Sequence, residues 1–273
     1  MSLSATIARV DKGLIGAVIV SGVIAGGAYG QTQPLLTEEA TTAGAGRIAL
    51  EVGGDFIAAE PNFQTQKPRD VWNGPRLRLV YSPADSVEVD LEWVALIVTP
   101  SDPDFGHASD FGDVSLRTKL RFHDGGARGL TWGARFAMTL PQTSFGFGLG
   151  PNTTRMGADL LATMPAGRLR LHANAGLAIQ DEVYRLHEQS DFLAAGVAAE
   201  WHVSGRHMIL AEAAGLIGQG RPGTDAHREL RVGWRFASGP RTWSGAVRRG
   251  LADADGTWGA TVGMAWVLRA PVR

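Results

Sequence analysis

The chain has 273 residues, with 26 Lys and Arg against 27 Asp and Glu, and no cysteine. A net charge of −1 offers nucleic acid no basic surface, and the missing thiols exclude a disulfide scaffold, thiolate metal sites and a cysteine nucleophile. Only 19% of residues are charged and 36 are glycine, which fits apolar side chains spread thinly along many strands.

Residues 1–30 read as an address. Arg9 and Lys12 precede an uncharged run from Gly13 to Gly30, apolar from Leu14 to Ile24, and Ala28-Tyr29-Gly30 places small residues before Gln31. This is the pattern of a signal peptide cleaved near Gly30/Gln31, which sends a Gram-negative protein to the periplasm or outer membrane. Residues 31–45 then read as a short periplasmic segment.

From about residue 46 to 269 the dominant signal is alternation with a period of two. Weak alternation at 47–56 and 75–81 precedes the clearest case, residues 86–98. There Val87, Val89, Leu91 and Trp93 oppose Glu88, Asp90 and Glu92. In 113–122, Leu116, Leu120 and Phe122 oppose Arg117, Lys119 and Arg121; in 130–140, Trp132, Phe136 and Met138 oppose Arg135. After a weaker segment at 156–164, Leu171 and Leu177 oppose Arg170, His172 and Asn174 within 169–179. Segments at 192–203 and 207–217 lead to Leu230, Val232, Trp234 and Phe236, which oppose Glu229, Arg231 and Arg235. Segments at 242–251 and 257–268 make twelve, followed by a tail, 270–273.

Each segment has about 8–13 residues, and about 9–11 tilted residues cross a bilayer as a strand. The connections alternate short and long, apart from a shorter last one, as they do when periplasmic turns are tight and outer loops are long. Tyr81, Phe122, Trp201, Phe236 and Trp266 fall at one level, joined by Trp243, as an interfacial girdle does. Lipid offers the backbone no hydrogen-bond partner, so a spanning sheet must close on itself. The expectation is therefore an all-β chain: a single closed antiparallel transmembrane β-barrel of about twelve strands with meander topology.

The charged alternate positions then line the lumen. A register summing to 209 sets Glu88 against Arg121, Asp90 against Lys119 and Glu92 against Arg117, with Arg76 and Arg78 within reach of the same carboxylates. One use of such a ladder is to neutralise charge and fix packing; the other is to form a polar path or bind an anionic or zwitterionic solute. The loop 141–155 and the long first loop with Trp72 are the candidates for a plug.

Other motifs carry little. Asp110-Phe111-Gly112 lacks the other parts of a kinase, and Gly146, Gly148 and Gly150 lack a βαβ setting. Asn152-Thr-Thr154 is a glycosylation sequon without consequence in a bacterial barrel. The histidines form no spaced pair on one strand face, so no metal or cofactor is expected. A lipid hydrolase is an alternative, because a barrel phospholipase of similar strand number uses His, Ser and Asn. Here His172 and Asn174 have no serine at the needed spacing, and no enzyme activity is expected.

Several stretches carry a family resemblance. They are Leu36-Thr-Glu-Glu-Ala40 with Gly46 and Glu51, Gly112 to Phe122, Leu140-Pro141, Leu169 to Gly176, Ala211-Glu-Ala213, and Arg249 to Asp253 with Trp258 and Gly263. In order and spacing they resemble the "MetA-pathway of phenol degradation" family over about residues 35–268. The resemblance implies a β-barrel transporter of the outer membrane for aromatic or other small hydrophobic compounds. It carries no catalytic residues. The expected partners are outer-membrane lipid, a small solute and the barrel-insertion machinery. A non-conducting structural or surface-interaction barrel is the alternative. Thr261, Gly263, Trp266 and Leu268 fit the insertion signal, although Arg269 to Arg273 follow it.

Overall fold

The computed structural model describes residues 33–185, 187–224 and 226–269. The expected signal peptide, its cleavage point and the tail 270–273 lie outside the described residues. Fourteen strands form in chain order: β1 (Arg47–Pro61), β2 (Pro68–Ala84), β3 (Val87–Val94), β4 (Ile97–Asp102), β5 (Gly106–Asp110), β6 (Val114–His123) and β7 (Thr131–Leu140). Then follow β8 (Arg155–Ala166), β9 (Leu169–Asp181), β10 (Gln189–His202), β11 (His207–Ile217), β12 (His227–Ser238), β13 (Arg241–Gly250) and β14 (Trp258–Arg269). Single 3-10 turns lie at Phe145–Phe147 and Asp253–Asp255.

Twelve of these strands close a barrel. Each wall strand pairs antiparallel with its neighbours, and β1 pairs with both β14 and β2, so the wall has no free edge. The other two, β4 and β5, form a hairpin that rises above the wall. Among the described residues its strand pairing with the wall lies at the outer end of β2, where Trp72 meets Val98 and Asn73 meets Ile97. The connection between the expected segments 86–98 and 113–122 is therefore largely folded. The first loop is also shorter than expected, because β1 and β2 continue to Pro61 and from Pro68.

Alternation is kept, so the two faces differ in chemistry. Outward positions such as Leu91, Leu116, Phe136, Leu160, Leu177, Val197, Val232 and Val262 are exposed aliphatic and aromatic side chains. Inward positions such as Glu88, Lys119, His172, Glu200, Glu229 and Arg235 are charged or polar and buried. A protein surrounded by water would bury the first set; one surrounded by acyl chains would not.

Aromatic rings mark both rims. Tyr81, Phe122, Trp132, Trp201 and Trp243 are exposed at the short-turn end, with Phe122 and Trp132 packed edge to face at 5.4 Å. At the long-loop end Phe56 packs on Trp72 at 4.5 Å and on Trp258 at 5.2 Å, and Trp93 neighbours Phe111. Trp72 thus faces outward from β2, which corrects the expectation that the first loop with Trp72 plugs the lumen.

Candidate functional site

The barrel interior is occupied by the chain's own N-terminal segment. Residues 33–43 are mostly buried inside the wall, and the chain leaves the lumen at the exposed Ala45 before β1 begins. Of the expected periplasmic segment at 31–45, residues 33–43 thus lie inside the barrel wall. Buried backbone polar groups need partners, and those of this segment find several on the wall. The Leu36 N–H donates to both carboxylate oxygens of Glu212, at 3.0 and 2.8 Å, and the Thr37 N–H donates to the same group. The Ala40 N–H donates to Thr163 Oγ1 at 2.8 Å, and the Ala43 N–H to Glu88 Oε2 at 2.8 Å. Arg231 Nη1 donates to the Pro34 carbonyl at 2.6 Å, and Lys119 Nζ to the Thr41 carbonyl at 3.2 Å. Asn174, oriented to satisfy both of its ends, bonds the Glu38 N–H and C=O at 2.8 Å each.

Side-chain charge adds to this. Glu38 lies 3.1 Å from Arg78 Nη2 and 3.0 Å from Lys119 Nζ, with Arg135 at 3.9 Å. Glu39 accepts from Arg170 at 3.4 Å. The wall makes room with glycine at close approaches. A Cβ at Gly196 would stand 2.6 Å from Thr37 Oγ1, and one at Gly53 would collide with the Gln33 carboxamide.

The acid/base ladder is present but shifted. In the β3–β6 register Glu88 faces Lys119, Asp90 faces Arg117 and Glu92 faces Ser115, so paired numbers sum to 207 instead of 209. Lys119 sits 2.9 Å from Glu88, and Arg117 lies 3.7 Å from Asp90 and 2.8 Å from Glu92. Arg121 drops out of the ladder and pairs with Asp124 at 2.8 Å. Arg78 joins as expected, 3.0 Å from Asp90, but Arg76 turns to Asp55 of β1 at 3.2 Å. The shift has a simple cause. A two-residue slip leaves every side chain on its own face, and a connection that contains the β4–β5 hairpin exerts none of a tight turn's control over register.

The other expected lumen residues also face inward, in two groups. Arg135 pairs with Asp159 at 2.6 Å. Across the lumen Arg235 pairs with Glu200, and Glu229 takes both Arg231 and Arg248, the latter at 2.7 Å. His172 Nδ1 is 3.0 Å from Thr163 Oγ1, and its Nε2 is 3.8 Å from Glu200. It lies on the inner face, buried against the N-terminal segment, where membrane lipid does not reach.

Glu38, Glu39, Asp55, Asp159, Glu200 and Glu212 were missed as lumen groups. For Glu200 and Glu212 the signal existed: each holds the inward position between outward neighbours, but alanines on both faces hide the alternation. Glu38 and Glu39 lie in a stretch with no period at all.

The long-loop end carries a cap. The loop from 141 to 154 folds back over the mouth, where Arg69 Nη1 donates to the Phe147 carbonyl at 3.0 Å and Arg69 also bonds the Gly148 carbonyl. Asp102 of the hairpin holds Arg69 at 3.0 Å and Asn62 Nδ2 at 2.9 Å. Phe63 with Phe145, and Phe105 with Phe147, pack edge to face. Burial alone would raise the Asp102 carboxyl, but hydrogen bonds from Asn62, the Asp104 and Phe105 N–H groups and Arg69 outweigh it, holding the group at about 2.

A scan of family models finds no match to this sequence, and neither does a search of curated proteins. Solved structures do match in fold. The chain is similar to the COG4313 outer membrane channel from Pseudomonas putida F1, with TM-score 0.64 and 14% identity over 87% of this chain and all of that one. It is also similar to the KdgM porin, with TM-score 0.51 and 8% identity over 80% of this chain and 98% of that one. A third is the translocator domain of autotransporter NalP from Neisseria meningitidis, with TM-score 0.50 and 15% identity over 81% and 87%.

Proposed function

We propose that this chain is an outer-membrane channel for small solutes, held shut by its own N-terminal segment. The observation that carries the reading is the inversion of the barrel: apolar side chains outside, paired charges inside, and a peptide in the lumen held by polar bonds. An apolar core would be a permanent filling. A peptide held by carboxylates and guanidinium groups exchanges those bonds for water when it leaves, so its release costs far less than the gross bond strength suggests. The solved neighbours described as an outer membrane channel and a porin support the reading. The resemblance to the phenol-degradation family adds aromatic and other small hydrophobic compounds as solutes. In this reading the leader is removed near Gly30/Gln31, the insertion machinery assembles the barrel, and the long loops face outside the cell.

The filled lumen and capped mouth favour a second reading, a barrel that conducts nothing and serves structure or surface contact. Planar-bilayer recording separates the two. Purified protein should give brief conductance steps, and Glu38→Gln should lengthen them by weakening the hold of Arg78 and Lys119. No steps from either protein, in samples whose heat-modifiable gel migration shows a folded barrel, would remove the channel.

A further inference from the structure

Against the N-terminal segment, which lines it at Gln33 and from Leu35 to Glu38, the lumen keeps a cavity of about 300 Å³. Its two sides differ. One side, from β2 and from β6 to β8, presents Arg76, Arg117, Arg135 and Arg155, with Ser115 and Thr139 between them. The facing side, from β9 to β11, presents Ala178, Ala194, Ala214 and Leu216, and Leu36 of the N-terminal segment adds to this apolar surface. The whole lining carries six arginines, the four above with Arg78 and Arg231, against three carboxylates, Glu38, Glu92 and Asp159.

Pairing does not exhaust the arginines. A guanidinium has five N–H donors in a fixed fork, and Arg117 and Arg135 each direct part of theirs to Glu92 and Asp159. Gln33 also borders the cavity; its buried carboxamide lies toward Gly53 and Gly263, and neither end has a hydrogen-bond partner among the described residues. A buried amide left in that state costs about 1–3 kcal/mol unless something polar meets it.

We propose that this cavity binds a small amphiphilic organic anion: a carboxylate joined to an apolar body about the size of one aromatic ring. The carboxylate lies against the arginine side, where two parallel N–H donors suit its geometry. The apolar body lies against the alanine and leucine side. The volume equals about ten waters at about 30 Å³ each, which admits one ring with its carboxylate. A neutral hydrocarbon gives the remaining N–H donors of Arg117 and Arg135 no anion to meet, and a bare inorganic anion leaves the apolar side wet. The inference deepens the channel reading by naming the solute class, yet binding itself needs no current.

Calorimetric titration of the folded full chain in non-ionic micelles tests it, with benzoate as the probe. Benzamide (the neutral isostere), benzamidine (the cation) and acetate (the charge without the ring) are the comparisons. Benzoate should bind at least tenfold tighter than any of the three. Arg155→Gln should weaken it about tenfold, and Ala214→Met, which fills the apolar side without touching charge, should abolish it. Benzamide or benzamidine binding as tightly as benzoate would overturn the site, as would benzoate binding unchanged in both variants. Benzoate bound by a barrel that passes no current would keep the site and remove the channel. Current without benzoate binding would do the reverse.

Discussion

Glu212 of β11 receives the backbone N–H of Leu36 on both of its carboxylate oxygens, at 3.0 and 2.8 Å, across 176 positions of sequence. This contact is one of those that fix where the N-terminal segment lies. A hydrogen bond to a charged group contributes about 1.5–3 kcal/mol, so its loss shifts the held-to-released ratio about tenfold to a hundredfold. Glu212→Ala should therefore raise the open probability in single-channel records by that order, while the heat-modifiable gel shift of the barrel stays. An unchanged open probability would mean that this bond does not hold the segment.

The ladder register makes opposite predictions for two basic residues on one face of β6. Lys119 lies buried between Glu38 and Glu88 at 3.0 and 2.9 Å, and removing one partner of such a group costs about 3–5 kcal/mol. Arg121 pairs with Asp124 on a solvated turn, where an ion pair contributes about 0–1 kcal/mol. Lys119→Met should lower the urea midpoint sharply and Arg121→Met barely. Equal effects would favour the register summing to 209.

The outward face is tested at Leu160, which is 63% exposed midway along β8. In acyl chains Leu160→Arg should cost about 2–4 kcal/mol, read as lost folding yield in liposomes. In water the same change would stay within about 0.5 kcal/mol.

The cap predicts a pH response. Asp102 is held below its ordinary value of 3.8, at about 2, so its charged form favours the folded hairpin. That contribution is complete above about pH 4 and fades as the pH falls toward 2. Asp102→Asn should melt earlier than the parent protein at pH 6, and the gap should close between pH 4 and 2. A gap independent of pH would assign the effect to packing.

How much of this was legible follows from the kind of signal each element leaves. The faces of the strongly alternating segments could be read, because a strand's period of two needs no long-range knowledge. Register could not, since Glu88 keeps its face whether it meets Lys119 or Arg121. The β4–β5 hairpin was hidden by Pro100, Pro103 and Gly106, which read as a loop although they allow the hairpin's ends and turn. The reach of β1 and β2 was underestimated, because the expected segments 47–56 and 75–81 follow the alternation alone and stop short of Pro61 and Pro68. Pro68 opens β2, and Pro75 sits where the β1–β2 ladder shifts between Gly53 and Asp55. Residues 33–43 escaped altogether. Their placement comes from Glu212, Thr163, Lys119 and Arg231, all far away in sequence, and no local pattern records it.

The chain's lack of cysteine permits one decisive test of the occupied lumen. Thr37 Cβ lies 3.4 Å from where a Cβ at Gly196 would stand, close to the roughly 3.5–4.5 Å of a disulfide. The double variant Thr37→Cys with Gly196→Cys should crosslink on mild oxidation, pass no current in planar bilayers, and conduct once a reductant is added. Failure to crosslink in a folded barrel, or equal current in the oxidised and reduced states, would contradict a segment that fills the lumen and shuts it.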